Sequence, residues 1–206
     1  KYYLTQPILA NATIFQLSQT ITGLLPADTK TFGAAPYNLT ATGGASGNPV
    51  TYSASPAGVV TIAGNVVTIV GAGVTTITAS QAGNTNYSAA TDVPQTLTVN
   101  QANQTITFAA IPTKTTADAP FNLTGTASSG LTVSYSSSNP AVADVVGNLV
   151  TIYTTGTTII TATQAGNANY LPATNVLRTL NVTAPLIAAW DFTGPGNVAT
   201  FAATIF

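Results

Sequence analysis

Five aspartates, Asp28, Asp92, Asp118, Asp144 and Asp191, are the only acidic side chains, and Lys1, Lys30, Lys114 and Arg178 are the only cations. Eight tyrosines and many serines and threonines add hydroxyls, while His, Cys and Glu are absent. Most acid–base pairs, a serine triad and a zinc site of ordinary type need the missing residues. Two-aspartate and Ser-Lys arrangements are what remains, and no spacing favours either. The aspartates stand apart, and none lies in the dense Asp/Asn run of a calcium loop. Their types and neighbours suit turns and caps. The sequence assigns no catalytic residue, no cofactor and no metal ligand, and it predicts a chain that is not an enzyme.

The elements that would position any site come in two copies. "VTIVGAGVTTITASQAGNTNY" (Val67–Tyr87) is answered by "VTIYTTGTTIITATQAGNANY" (Val150–Tyr170). "QTITGLLPADTKTFGAAPYNLTATG" from Gln19 is answered by "QTITFAAIPTKTTADAPFNLTGTA" from Gln104, and "VTYSAS" (Val50–Ser55) by "VSYSSS" (Val133–Ser138). "QTLTV" (Gln95–Val99) and "RTLNV" (Arg178–Val182) close the two copies. Every block recurs in the same order, so one unit has been duplicated.

Each unit consists of short runs of Val, Ile, Thr, Tyr and Leu broken by Gly, Asn or Pro, which reads as a sandwich of antiparallel strands, about seven per unit. In "YNLTA", Tyr37, Leu39 and Ala41 alternate with polar residues, as do Phe121, Leu123 and Gly125 in the second copy. Gly64-Asn65 and Gly147-Asn148 each separate two β-branched runs and predict tight hairpins whose first turn residue needs positive φ. The fold class is therefore all-β, with two tandem sandwiches.

Composition sets limits on partners. Hydrophobic residues at 45% can fill cores, but charged residues are only 4%, against roughly 25% in a typical soluble domain. The net charge is −1 and no basic stripe is present, which argues against nucleic acid. The apolar runs are far shorter than the roughly 20 residues of a spanning helix, so no membrane insertion is expected. The start "KYYLTQ" has no initiator Met or signal-peptide pattern and suggests a processed protein or part of a longer one.

The order "QTITF…P…K…DAPF.L…YSSSNPAVA…GN.VTI…G.T.ITA.QAGN.NY.PA…TL.V" resembles the tandem bacterial immunoglobulin-like repeats of secreted and cell-surface proteins, over Gln19 to Val182. The resemblance implies immunoglobulin-like sandwiches and an extracellular or cell-surface location. Such modules sometimes carry Lys–Asn isopeptide crosslinks. Lys30 and Lys114 hold equivalent places before Asn38 and Asn122, and Asp118 near the second pair makes Lys114, Asn122 and Asp118 the candidate trio.

The expected domains are residues 19–100 and 104–183, joined by a linker at 101–103 and flanked by strand-like segments at 1–18 and 184–206; the last is also readable as the start of a further β domain. With so few charges to protect sheet edges, the pattern favours a protein that works in an assembly. The terminal segments could add a strand to a neighbouring copy, through Ala10, Thr13, Ile14, Phe15 and Leu17 at one end and Leu186, Ile187, Trp190 and Phe192 at the other. They could equally extend their own domain's sheet.

The "QAGN.NY" element reads as a tight connection ending in a tyrosine whose ring can bury while its hydroxyl bonds to backbone, with sugar stacking as the competing reading. Asn-X-Ser/Thr occurs at Asn11, Asn38, Asn86, Asn103, Asn122 and Asn181, and glycans there would supply solubility that charge does not. The expected function is a non-catalytic segment or subunit of a surface filament, stalk or adhesin, partnered by copies of itself or other surface proteins. The alternative is a carbohydrate-binding or spacer module of a secreted enzyme.

Overall fold

The computed structural model describes residues 15–24 and 28–186. The chain divides into two compact units, Lys1–Ala102 and Asn103–Phe206. All regular structure among the described residues is β.

In unit 1 the strands are β1 (Asp28–Thr31), β2 (Tyr37–Asn38), β3 (Val50–Ser55), β4 (Val60–Ala63), β5 (Val66–Ile69), β6 (Gly73–Gln81) and β7 (Val93–Asn100). One sheet has the order β1-β7-β6-β3 and the other β2-β5-β4. A bridge between Thr22 and Thr42 brings the entering segment beside the second sheet. Along the chain, the second, fourth and fifth strands share one sheet and the third, sixth and seventh share the other. That is the partition of an immunoglobulin sandwich.

Unit 2 repeats the plan with β8 (Ile106–Thr107), β9 (Lys114–Thr115), β10 (Phe121–Asn122), β11 (Thr126–Ala127), β12 (Ser134–Ser137), β13 (Ala143–Val146), β14 (Leu149–Ile152), β15 (Gly156–Thr163) and β16 (Val176–Thr183). Its sheets run β12-β15-β16-β9 and β10-β14-β13, with β11 paired to β8.

One departure from a purely antiparallel sandwich occurs in both units. β1 runs parallel to β7, and β9 runs parallel to β16. The first part of each unit lies beside the second sheet, at Thr22 or at Ile106–Thr107, and the chain then crosses to the edge of the other sheet. A segment that changes sheets without reversing direction meets the last strand in parallel.

The hairpins follow the expected chemistry. Gly64 and Gly147 adopt φ of 62° and 64°, and each opens a two-residue turn between paired strands. The alternation in "YNLTA" also appears, with Leu39 buried between exposed Asn38 and Thr40. Each unit has its own core. In unit 1 Val67, Ile77, Leu97 and Val99 pack together; in unit 2 Val150, Ile160, Leu180 and Val182 do so. Ile160 and Leu180 are fully buried, so truncating either to Ala should cost about 2–5 kcal/mol.

Candidate functional site

Asp28, Lys30, Tyr37, Asp118 and Asp144 have local partners. Asp28 forms an ion pair with Lys30 at 2.8 Å, on β1. The bond from Lys30 holds the Asp28 carboxyl below its ordinary range, and the same contact raises Lys30. Burial pushes the Tyr37 hydroxyl up, with Asp28 adding to the effect. Asp118 accepts a bond from the Thr115 backbone N–H at 2.8 Å, and Asp144 accepts from that of Val145. These are turn and strand-end roles. Asp191 lies outside the described residues. Among the described residues, no three carboxylates or other metal-binding side chains come together.

The crosslink trio is distributed as follows. Lys114 Nζ stands 4.8 Å from the centroid of the Phe121 ring, as Lys30 Nζ stands 5.3 Å from that of Tyr37. Asn122 follows Phe121 in β10, so its side chain leaves the opposite face of the strand, where it is exposed. Asp118 is exposed in the turn before that strand. Lys114 is thus engaged by a ring.

Of the terminal residues, Ala10, Thr13, Ile14, Ile187, Trp190 and Phe192 lie outside the described residues. Phe15 and Leu186 are exposed, at 81% and 98%. Leu17 pairs within its own unit in a parallel bridge to Tyr87: its N–H donates to Asn86 O at 2.8 Å, and its carbonyl accepts from Ser88 N–H at 3.0 Å. Gln16 Nε2 also donates to Asn84 O. The entering chain is therefore seated on the QAGN.NY loop.

That loop is built as a tight connection. Asn84 Oδ1 accepts from the N–H groups of Asn86 and Tyr87, while the Asn84 N–H donates to Tyr87 O. Asn167 and Tyr170 repeat the arrangement. A Cβ at Gly83 or Gly166 would lie 2.3 Å from the carbonyl oxygen of Tyr87 or Tyr170, so only glycine fits. Two tyrosines elsewhere in the units bond to backbone through their hydroxyls. Tyr52 Oη accepts from Ala41 N–H at 3.1 Å, and Tyr135 Oη donates to Gly125 O at 3.2 Å.

Buried glutamines tie these parts together. Gln19 is 8% exposed and donates to Ala82 O and Ser88 O, while its Oε1 accepts from Ser46 N–H. Gln104 is 6% exposed and donates to Gln164 Oε1 and Leu171 O, both at 2.7 Å. Every buried side-chain polar atom among the described residues has a partner. An unpaired amide here would cost about 1–3 kcal/mol, so these bonds fix how the entering chain meets its sandwich. The available signal was the recurrence of Gln at both positions in both copies.

The edges are unequal. β1 carries Asp28 and Lys30, β9 carries Lys114, and β13 carries Asp144. β3 and β12, the edges on the far side of the same sheets as β1 and β9, carry no charge. Lysine on an edge discourages a further strand, and a plain uncharged edge does not.

No family model matches the sequence, and no curated protein matches it. Solved structures do. Domains 1–3 of Drosophila N-cadherin are 12% identical, with 84% of this chain and 69% of that one covered and a TM-score of 0.33. Domains 4 and 5 of the S-layer protein SbsC are 19% identical over 66% of this chain and 77% of that one, with a TM-score of 0.32. The human desmocollin-1 ectodomain is 9% identical over 82% and 42%, with a TM-score of 0.32. The immunoglobulin-like assignment rests on the strand order of each unit. No helix among the described residues is long and apolar enough to cross a membrane.

Proposed function

We propose that this chain is a non-catalytic structural protein of the extracellular space or cell surface, a segment or subunit of a bacterial filament, stalk or adhesin. The duplicated sandwich supplies length, and its partners are copies of itself or other surface proteins. Strand addition between subunits is the proposed mode of assembly, with the terminal segments as donors and glycans as an additional cover for a nearly uncharged surface.

The observation that carries this reading is the uneven protection of the edges. Four charged residues, Asp28, Lys30, Lys114 and Asp144, stand on the edge strands β1, β9 and β13, while the edges β3 and β12 carry none. Natural sheets rarely leave such edges plain unless something covers them.

The test compares the full chain with one lacking residues 1–14 by negative-stain electron microscopy. The deletion keeps the Leu17 bridge, so unit 1 retains its seated entry. Fibres from the full chain and isolated particles from the shortened one are expected. Identical fibres from both would remove the N-terminal donor from the scheme.

A further inference from the structure

The β13–β14 hairpin covers only part of unit 2, as the β4–β5 hairpin of the same length covers only part of unit 1. β14 pairs with β10 only at Phe121 and Asn122, and the last bond on that side runs from Leu123 N–H to Asn148 O at 2.8 Å. Beyond it a cleft of about 720 Å³ opens between residues 123–127 and the start of β12. Leu123, Val133 and Tyr135 form its apolar wall, and Thr126, Thr132 and Asn148 stand at its rim.

Unit 1 provides an internal comparison. Leu39, Val50, Tyr52 and Asn65 hold the equivalent places around an opening of about 400 Å³. There Gln81 reaches across: its Nε2 donates to Asn48 O at 2.7 Å and its Oε1 accepts from Gly44 N–H at 2.7 Å. This ties the loop at 43–49 over the space. In unit 2 the equivalent Gln164 is drawn away, accepting from Gln104 at 2.7 Å, and its amide reaches Thr132 O only at 3.5 Å. The corresponding loop, between Thr126 and Val133, is also one residue shorter than that between Thr42 and Val50. The cleft in unit 2 stays open for these two reasons.

The lining selects a class of ligand. It contains no charged residue, so an ion would be desolvated without a counter-charge. A purely apolar ligand would leave rim hydroxyls and amides facing it unpaired. Tyr135 is a fixed wall, since its hydroxyl is bonded to Gly125 O and Phe108 packs beside its ring with centroids 5.4 Å apart. A ring bearing both C–H patches and hydroxyls meets such a surface on both counts, because Thr and Asn side chains donate and accept. The volume lies within the range of small-ligand sites.

We propose that the cleft of unit 2 binds a neutral pyranose oligosaccharide, packed on Tyr135 and held at the rim by Asn148, and that the opening in unit 1 does not. This goes beyond the structural role and does not depend on whether copies assemble. The isotope-labelled full chain would be titrated with neutral gluco-, manno- and galacto-hexasaccharides while amide NMR signals are followed. Shifts at Gly125, Gly130 and Asn148, with none at Gly43, Gly44 and Gly47, are the expected result. Asn148→Ala, at an exposed turn, should weaken binding about fivefold, the value of one hydrogen bond of roughly 1 kcal/mol. Silence at the unit 2 amides with all three sugars, equal shifts in both units, or unchanged binding by Asn148→Ala would each overturn the proposal.

Discussion

Gln104 donates from Nε2 to the Oε1 of Gln164 at 2.7 Å, joining the segment that enters unit 2 to the chain just past the end of β15. The same Gln104 amide also reaches Leu171 O, and Ser129 Oγ donates to its Oε1. Replacing Gln104 by Ala removes three bonds at once from a residue that is 6% exposed. Unit 2 should lose about 1–3 kcal/mol in urea unfolding, with the unit 1 transition unmoved.

Glycine separates steric need from conformational need. Gly47 has φ of 74° and nothing within 4 Å of a built Cβ, whereas Gly166 has φ of 78° and a carbonyl oxygen 2.3 Å away. Gly47→Ala should cost about 1 kcal/mol, from the left-handed backbone alone. Gly166→Ala should cost on the order of 3 kcal/mol, because the loop must also move. Comparable costs in thermal unfolding would mean that the QAGN.NY loop tolerates displacement.

Asp28 should titrate below 3.8, its ordinary value, because Lys30 bonds to the ionised form. A lowered folded-state pKa contributes stability at pH values above the unfolded pKa, and that contribution disappears as pH falls through the folded value. Both side chains are well exposed, so the effect on stability is small and salt-screened. The direct readout is an NMR titration of the Asp28 carboxyl: Lys30→Ala should move its midpoint up towards 3.8. An unchanged midpoint would show that the pair does not hold in solution.

The chain freed of any glycans should have the intact mass of the uncrosslinked sequence, because Lys114 is engaged by the Phe121 ring and Asp118 is exposed. A mass lower by one ammonia, about 17 Da, would instead establish the Lys114–Asn122 crosslink.

Local features of the fold were readable from the sequence. The hairpins at Gly64-Asn65 and Gly147-Asn148 and the alternation around Leu39 and Leu123 depend on residues adjacent in the chain, where pattern and conformation are tightly linked. The buried glutamines were hidden because Gln19 and Gln104 look like ordinary surface residues, and the groups their amides donate to lie 60–69 residues away. The uneven edges were hidden because strand order, with its crossovers, decides that Lys30 and Lys114 stand on an edge. The cleft by Tyr135 was hidden because it depends on where the Gln164 side chain bonds, to Gln104 sixty residues away.

The measurement that tests the assembly account most directly is solution mass by light scattering over a range of concentrations, for the native chain and for a Ser53→Lys/Ser136→Lys variant. Both serines are exposed on the bare edges β3 and β12, so the lysines guard those edges without entering a core. The account predicts that the mass of the native chain climbs above that of one chain as concentration rises, while the variant stays at the single-chain mass. A native chain that remains single throughout, or a variant that assembles equally well, would contradict it.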